Sequence, residues 1–282
     1  MRLLPFLVCL FLFPCVTAQT PPVAYQLYGP TGKRISYKKM VRSLSEADVI
    51  LFGELHNNPV AHWMQRELAA ALPAFDLGLE MFETDEQFAL EGYRRGRVTV
   101  GQLDTLTGGL WPNFRTDYQP LVDFAGAAGA GVYATNVPRS VARRVFREGF
   151  ATLRPDTVHG TAILPPLPIP YDPDLPAYRR MLEMMPGGHG GDNFPKAQAI
   201  KDATMAHRIL TTRRPGTPYL HLNGSYHSDD HEGITWYLRQ YDPGVRVLTI
   251  STIEGTPNEF PPEARGKADY ILLVNPKVTK SY

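Results

Sequence analysis

Cysteine is almost absent from this sequence of 282 residues, which contains only Cys9 and Cys15. No cysteine follows residue 18, so the rest of the chain has no disulfide and no thiolate chemistry. A Cys-x-x-Cys-His run is absent as well, which excludes covalent c-type haem. The stability of the folded chain must therefore come from its core.

An excess of charge of either sign is also missing. The chain has 29 Lys and Arg against 28 Asp and Glu, and no stripe of basic and aromatic residues is present. The sequence therefore predicts no binding of nucleic acid through a basic surface. No glycine-rich phosphate fingerprint opens a helix and no Gly-x-Ser-x-Gly elbow occurs, so nucleotide binding and serine-hydrolase chemistry are not indicated.

The amino-terminal stretch is typical of a signal peptide. Arg2 supplies a positive charge, residues 3–13 form an apolar run too short to span a bilayer, and Val16-Thr17-Ala18 fits a signal-peptidase site. We predict a signal peptide over 1–18 and an exported protein, periplasmic or secreted, that starts at Gln19. The alternative is an outer-membrane lipoprotein anchored through Cys15, although Phe13-Pro14 makes a poor lipobox. Membrane association is expected only in that case.

Residues 19–282 are predicted to form one α/β domain. Apolar runs alternate with amphipathic helical patterns, and this order is typical of a mostly parallel sheet flanked by helices. Residues 150–213 interrupt the alternation and are rich in proline. We interpret them as a helical, proline-rich insertion that lies over the functional site at the carboxyl ends of the strands.

Polar residues follow several of the predicted strands at their carboxyl ends. Glu54 and His56 come directly after the apolar run Val49–Phe52, and Asn58-Pro59 then opens a helix. Glu80 and Asn136 fall at the carboxyl ends of two other predicted strands, and His227 comes just after a third. Because ligands bind at the carboxyl ends of parallel strands, these residues are predicted to line one site.

The residue types at these positions leave two kinds of chemistry open. Glu54, His56, Glu80 and His227 could act as catalytic acid and base groups on a bound water. Alternatively, His56, Glu80 and His227 could hold a divalent metal such as Zn, Mn or Co. Two further histidines are assigned no role: His221 is predicted to lie in the core and His62 in solvent.

Five sequence blocks resemble the ChaN-like haem-binding uptake proteins of the TIKI superfamily. In order, they are Gly53-Glu54-Leu55-His56, Gly78-Leu79-Glu80-Met81, Asn136-Val137-Pro138-Arg139, Ala197-Gln198 with Asp202 and Met205-Ala206, and Asn223-Gly224-Ser225-Tyr226-His227. The resemblance implies an exported protein that binds haem, forms a homodimer around it and ligates iron through a tyrosine. It links the chain to haem or iron uptake. Relatives in the superfamily are metal-dependent proteases or macrolide esterases, so a metal-dependent hydrolase is the alternative, and a binding protein for another ligand is a third.

The resemblance does not single out the tyrosine that would bind iron. Tyr118, Tyr93 and Tyr226 are the candidates, and Tyr118 is preferred because it begins a helix beside Trp111 and Phe114, where an apolar slot can form. Asn136 and Arg139 are further cofactor-binding candidates. Arg139 and the neighbouring Arg143 could meet the haem propionates.

Overall fold

A computed structural model describes residues 22–184 and 191–282 of the chain. Within these ranges a seven-stranded, mostly parallel sheet is flanked by helices on both faces, which confirms the predicted α/β class. The predicted signal peptide lies outside the described residues. In the described part of the chain, no helix combines the length and the apolar character needed to cross a bilayer.

The strands of the large sheet follow the order β1-β9-β8-β2-β7-β3-β4. They are β1 (Tyr25–Tyr28), β2 (Val49–Glu54), β3 (Asp76–Glu83), β4 (Val132–Asn136), β7 (Tyr219–Gly224), β8 (Val247–Glu254) and β9 (Tyr270–Val274), while β5 (Thr157–Val158) and β6 (Thr161–Ala162) form a separate hairpin. Every pairing in the large sheet is parallel except that of β1 with β9.

Nine α-helices lie in the described part of the chain. They are α1 (Tyr37–Leu44), α2 (Pro59–Ala71), α3 (Gln87–Arg94), α4 (Val100–Leu106), α5 (Gln119–Ala127), α6 (Arg139–Glu148), α7 (Pro176–Glu183), α8 (Asn193–Thr212) and α9 (Ile234–Tyr241). Asn58 caps α2 as predicted: its Oδ1 accepts from the backbone N–H groups of Val60 and Ala61, and Pro59 is the first helical residue.

Two apolar cores lie on opposite faces of the sheet. Alternate residues of β2 divide between them, with Ile50 and Phe52 in the core under α2 and α5, and Val49 and Leu51 in the core under α6, α8 and α9. A strand buried on both faces cannot alternate apolar with polar residues, which explains the unbroken apolar run in β2.

The proline-rich segment 150–213 holds the β5–β6 hairpin, α7 and α8. Its last part, α8, is a 20-residue helix of the layer that covers the sheet, and it packs against α6, α9 and β4. The glycine-rich stretch before α8 lies partly outside the described residues.

Candidate functional site

Strand order brings the predicted site residues together. Strand β7 lies between β2 and β3, so the turn after β7 that carries His227 is placed between the end of β2, with Glu54 and His56, and the end of β3, with Glu80. The carboxyl ends of these three parallel strands share one edge of the sheet, here called the carboxyl edge. All four side chains meet there.

Glu54 and His56 form the first pair at the carboxyl edge. Nδ1 of His56 lies 2.9 Å from Oε1 of the fully buried Glu54, whereas the imidazole itself is partly exposed. Burial disfavours the charged ring, but the hydrogen bond to Glu54 and the negative charges of Glu80 and Glu54 outweigh it and raise the pKa of His56. Trp111 packs edge-on against the ring, with centroids 4.8 Å apart. The orientation of the His56 ring is therefore fixed by Glu54 at Nδ1 and by Trp111 at its face or edge.

Neighbouring side chains satisfy the buried carboxylate of Glu54. The hydroxyl of Tyr118 donates to Oε1, and Nε2 of Gln65 donates to Oε2 over 2.6 Å. His62 lies 3.2 Å from Oε1 of Gln65 and bonds the backbone carbonyl of His56 at 3.0 Å. The expectation that His62 is solvated is wrong, since it is 4% exposed. The face of α2 that carries His62 and Gln65 is turned toward the site.

Glu80 and His227 form the second pair. Nε2 of His227 lies 3.2 Å from Oε1 of Glu80, and its Nδ1 lies 2.5 Å from Oδ1 of Asp202, a buried residue of α8. Burial disfavours the imidazolium, but the two carboxylates outweigh it and raise the pKa of His227 to about 10. The same cation holds the pKa of Glu80 well below its usual range, although burial alone would raise it. His227 is thus a buried cation between two acids.

Gly224, in the last of the five sequence blocks, lies so close to His56 that a larger residue would not fit without a shift. A Cβ atom on Gly224 would lie 2.8 Å from Nε2 of His56 and 3.7 Å from Oε2 of Glu80. The backbone N–H of Gly224 also donates to Oε2 of Glu80 over 2.7 Å. The backbone of β7 therefore forms one wall of the site and ties the two pairs together.

Two adjoining cavities open at the carboxyl edge, and Gln198 of α8 lines both. The polar cleft, about 490 Å³, is lined by Glu54, His56, His227 and Tyr226, among others. The cationic cavity, about 360 Å³, has an apolar wall and a basic border. Its apolar lining includes Met81, Trp111, Val137, Phe146 and Phe194, and its cations are Arg139, Arg143, Arg147 and Lys201.

The other cofactor-binding candidates fall in different places. Asn136 and Arg139 line the cationic cavity, and the Asn136 amide donates to the backbone carbonyl of Glu80. Tyr226 is 41% exposed and lines the polar cleft. Tyr118 is fully buried with its hydroxyl on Glu54, and Tyr93 donates to Asp123 and lines neither cavity. The geometry therefore does not favour Tyr118, the tyrosine preferred from the sequence.

The alternative of a divalent metal on His56, Glu80 and His227 finds no support in the geometry. Within residues 22–184 and 191–282, no group of three or more His, Cys, Asp or Glu side chains is arranged to hold a metal ion. Both ring nitrogens of the protonated His227 are directed at carboxylates, and a protonated imidazole has no lone pair to offer a metal. Of the two histidines proposed as ligands, only His56 has a ring nitrogen, Nε2, without a hydrogen-bond partner among the described residues.

Several residues of the site carry no signal in the strand-end pattern. Gln65 lies in the middle of a helix, and Phe146, Phe194 and Lys201 come from α6 and α8, far from any strand end. Asp202 and Gln198 share one face of α8, and a polar pair on an otherwise apolar helical stripe was the signal available for them.

A model of a known protein family matches more than half of the chain. The model of the family described as "Haem-binding uptake, Tiki superfamily, ChaN" matches residues 40–238. No curated protein sequence matches the chain.

Two solved structures are similar to this chain to different degrees. ChaN of Campylobacter jejuni, whose structure is described as showing cofacial haem binding, is 20% identical with a TM-score of 0.67, and the match covers 89% of this chain and 97% of that one. A Bacillus cereus protein is 12% identical with a TM-score of 0.48, over 89% and 95% of the two chains. The first likeness supports the fold, and the second is too distant to carry an argument.

Proposed function

Because this chain belongs to the ChaN family of haem-binding uptake proteins in the Tiki superfamily, we propose that it binds haem and takes part in haem or iron uptake. The observation that carries the proposal is the cationic cavity at the carboxyl edge, which joins an apolar wall to a basic border. A haem site requires an apolar slot, cations for two propionates and a donor for the iron.

The apolar requirement is met by side chains that the sheet and α8 bring together. Phe146 and Phe194 meet edge to face, with ring centroids 6.1 Å apart, and together with Trp111 they line the cavity. All three remain partly exposed rather than buried in a core. Covering such partly exposed aromatic rings with a planar apolar ligand removes apolar surface from water and so favours binding.

The charge requirement is met by the basic border. Glu83 lies 3.8 Å from Nε of Arg139, but Arg143, Arg147 and Lys201 make no ion pair with any residue of the described ranges. Glu80 is already neutralised by His227. The cavity therefore carries uncompensated positive charge, which suits the two carboxylates of a haem. Hydrogen bonds between these cations and the carboxylates would be charge-assisted and so stronger than hydrogen bonds between neutral groups.

For the iron, the polar cleft offers a phenol. Tyr226 is the candidate tyrosine that lines a cavity of the site, and Gln198 separates it from the cationic cavity. Its ring is open to solvent and its hydroxyl makes one long contact, 3.2 Å, with the carbonyl of Ala177. A ferric haem bound here would supply an iron that takes an oxygen donor, and Tyr226 is the residue that we propose would hold it.

Export and assembly complete the proposal. The predicted signal peptide over 1–18 would place the protein in the periplasm or outside the cell, and lipidation of Cys15 would instead attach it to the outer membrane. Cofacial haem binding is described for the C. jejuni protein. We propose that two copies of this chain likewise bring their haems together in a homodimer.

Titration of haemin into the protein from residue 19 onward tests the proposal. We expect a saturable shift of the Soret band and, from Tyr226 ligation, a charge-transfer band. Arg143→Gln should weaken haemin binding by about tenfold, the value of one charge-assisted contact, and Lys201→Gln should act similarly. Arg144→Gln is the matched control, because Arg144 is exposed on the same helix but does not line the cavity.

Tyr226→Phe should remove the charge-transfer band while most of the affinity remains, since the apolar contacts persist. Light scattering with and without haemin reports the mass of the complex and tests the dimer. Absence of a saturable Soret shift at micromolar protein would overturn the proposed function.

A further inference from the structure

A third cavity, about 390 Å³, lies along the exposed edge of β4 and shares no lining residue with the two cavities of the candidate site. Its walls come from α3, from β4, from the β5–β6 hairpin and from α8. We call it the Arg208 cavity, after the residue that α8 contributes. It has no part in the proposed haem site.

Arg208 is a partly buried cation that has no counter-ion among the described residues. Its Nε is buried and makes no hydrogen bond, and no carboxylate oxygen of the described residues lies within 4.0 Å of its guanidinium. Burial lowers the pKa of Arg208. Burying a guanidinium without a counter-ion costs free energy, and the described residues around Arg208 offer no carboxylate that would offset this cost.

The other charged side chains that line the cavity either form ion pairs with each other or lie where burial disfavours their charge. Arg94 holds Glu91 through two hydrogen bonds of 2.7 Å, and Arg95 donates to the same carboxylate. Asp85 makes no ion pair with any described residue, and burial raises its pKa, so its negative charge is disfavoured. Arg208 is thus the one guanidinium of this cavity that is free, within the described ranges, to bind an anion.

An exposed aromatic pair lines the same cavity as Arg208. Phe88 is 65% exposed, and its ring stacks on His159 of the hairpin turn, with centroids 4.9 Å apart and planes 29° apart. His159 has a backbone φ of 49°, a conformation unusual for a residue with a side chain. The turn therefore holds an imidazole against a phenyl ring at the border of the cavity, where a flat apolar group could pack.

We propose that the Arg208 cavity binds a small aromatic anion, with its carboxylate or phosphate on the Arg208 guanidinium and its ring against Phe88 and His159. A planar guanidinium fits both kinds of anion through paired N–H donors. An anion that enters the cavity gives Arg208 the partner that the fold lacks, and the ring covers exposed aromatic surface. This site is independent of the haem proposal.

Calorimetric titration with four probes tests the ligand class. Benzoate and phenyl phosphate carry the ring, whereas acetate and inorganic phosphate carry only the anion. We expect saturable binding of at least one aromatic probe and binding of its non-aromatic counterpart that is weaker by about tenfold, roughly the contribution of one aromatic contact. Comparison of benzoate with phenyl phosphate distinguishes a carboxylate ligand from a phosphate one.

Three variants assign the contacts. Arg208→Met keeps the length of the side chain but removes the cation, and it should abolish binding of the aromatic probe. Because Arg208 has no ion-pair partner in the described part of the chain, this variant should fold at least as stably as the parent and bind haemin unchanged. Arg97→Met is the matched control, since Arg97 is exposed near the end of α3 and does not line the cavity. Phe88→Ala should weaken the aromatic probe but leave its non-aromatic counterpart unchanged.

Arg208→Lys provides a second measurement if the methionine variant fails to fold. It keeps the charge but loses the paired donors, and it should weaken the aromatic probe by about tenfold. The inference is wrong if no aromatic probe binds saturably at millimolar concentration. It is equally wrong if every folded Arg208 variant binds that probe as the parent does.

Discussion

The imidazole of His227 lies between two buried carboxylates, 3.2 Å from Glu80 and 2.5 Å from Asp202. Each acid belongs to a different element, Glu80 to β3 and Asp202 to α8, so this histidine joins the sheet to the helix layer above it. A buried cation flanked in this way stabilises the fold only while it remains protonated.

The free energy of unfolding should therefore depend on pH in a defined direction. The pKa of His227 is raised to about 10 in the folded chain from 6.5, so its contribution is complete below pH 6.5 and is lost as the pH rises toward 10. The pKa of Glu80 is lowered, so its contribution is present above its ordinary value of 4.5 and is lost as the pH falls below that value. Urea unfolding should therefore give the largest free energy of unfolding between about pH 4.5 and pH 6.5, where both contributions are present.

Replacement of His227 tests this assignment. His227→Gln should flatten the decline between pH 6.5 and 10 and destabilise the fold by about 3–5 kcal/mol, because two carboxylates then lack their cation. His231→Gln is the control, since His231 lies outside the buried network. An unchanged alkaline decline in His227→Gln would assign it to another group.

The carboxyl-edge site was predictable from the sequence because its signal is local. The apolar run of β2 shows a strand buried on both faces, and polar residues directly after parallel strands must share one edge of the sheet. His221 was likewise predictable as a core residue: it lies within a strand, is fully buried and bonds Thr135 and Asn223.

Features that depend on contacts distant in sequence were not predictable. Nothing in the pattern shows that β7 inserts between β2 and β3, which is what places His227 beside Glu80. The strand β1 was missed, because a four-residue antiparallel edge strand has too few positions for a pattern. Helical spacing in α2 would place the apolar Trp63 inside and the polar Gln65 outside, yet Trp63 is 48% exposed and Gln65 is buried against Glu54.

A second prediction concerns Gly224. In Gly224→Ala the new methyl group would lie 2.8 Å from Nε2 of His56, so the ring must move away from Glu54 or the backbone of β7 must shift. We expect destabilisation of about 1–3 kcal/mol, as for other overpacked sites, and a changed titration of His56 in NMR. Gly101→Ala is the control: its Cβ meets nothing within 4 Å, and the helix α4 should gain up to about 1 kcal/mol. Equal effects of the two substitutions would contradict the close approach.

A third prediction separates the candidate tyrosines. Tyr118→Phe removes the hydroxyl that donates to the buried Glu54 and should destabilise the fold by about 1–3 kcal/mol, since the carboxylate loses a charge-assisted hydrogen bond and keeps only His56 on that oxygen. It should leave the charge-transfer band of bound haem in place. Tyr93→Phe removes an exposed hydrogen bond to Asp123 and should cost less. Loss of the band in Tyr118→Phe, with the band retained in Tyr226→Phe, would restore Tyr118 as the iron ligand.

The last prediction concerns the exposed edge of the sheet, where the side chain of Gln87 takes the place of a neighbouring strand. Its Nε2 donates to the carbonyl of Val132 over 3.1 Å, and its Oε1 accepts from the N–H of Ala134 over 2.9 Å. Strand β4 has β3 on one side, and unpaired edge groups of this kind recruit other chains.

Gln87→Ala should expose both backbone groups, destabilise the fold by about 1–3 kcal/mol and speed aggregation on heating. Gln87→Glu is the sharper variant, because its carboxylate can still accept from Ala134 but faces the Val132 carbonyl without a donor. We expect its stability to fall further at neutral pH than under acidic conditions, where protonation of the introduced carboxylate restores a donor. Gln240→Ala, on the exposed face of α9, is the control in thermal unfolding and light scattering. If Gln87→Ala and Gln240→Ala aggregate at the same rate, the edge of β4 is protected by something other than this amide.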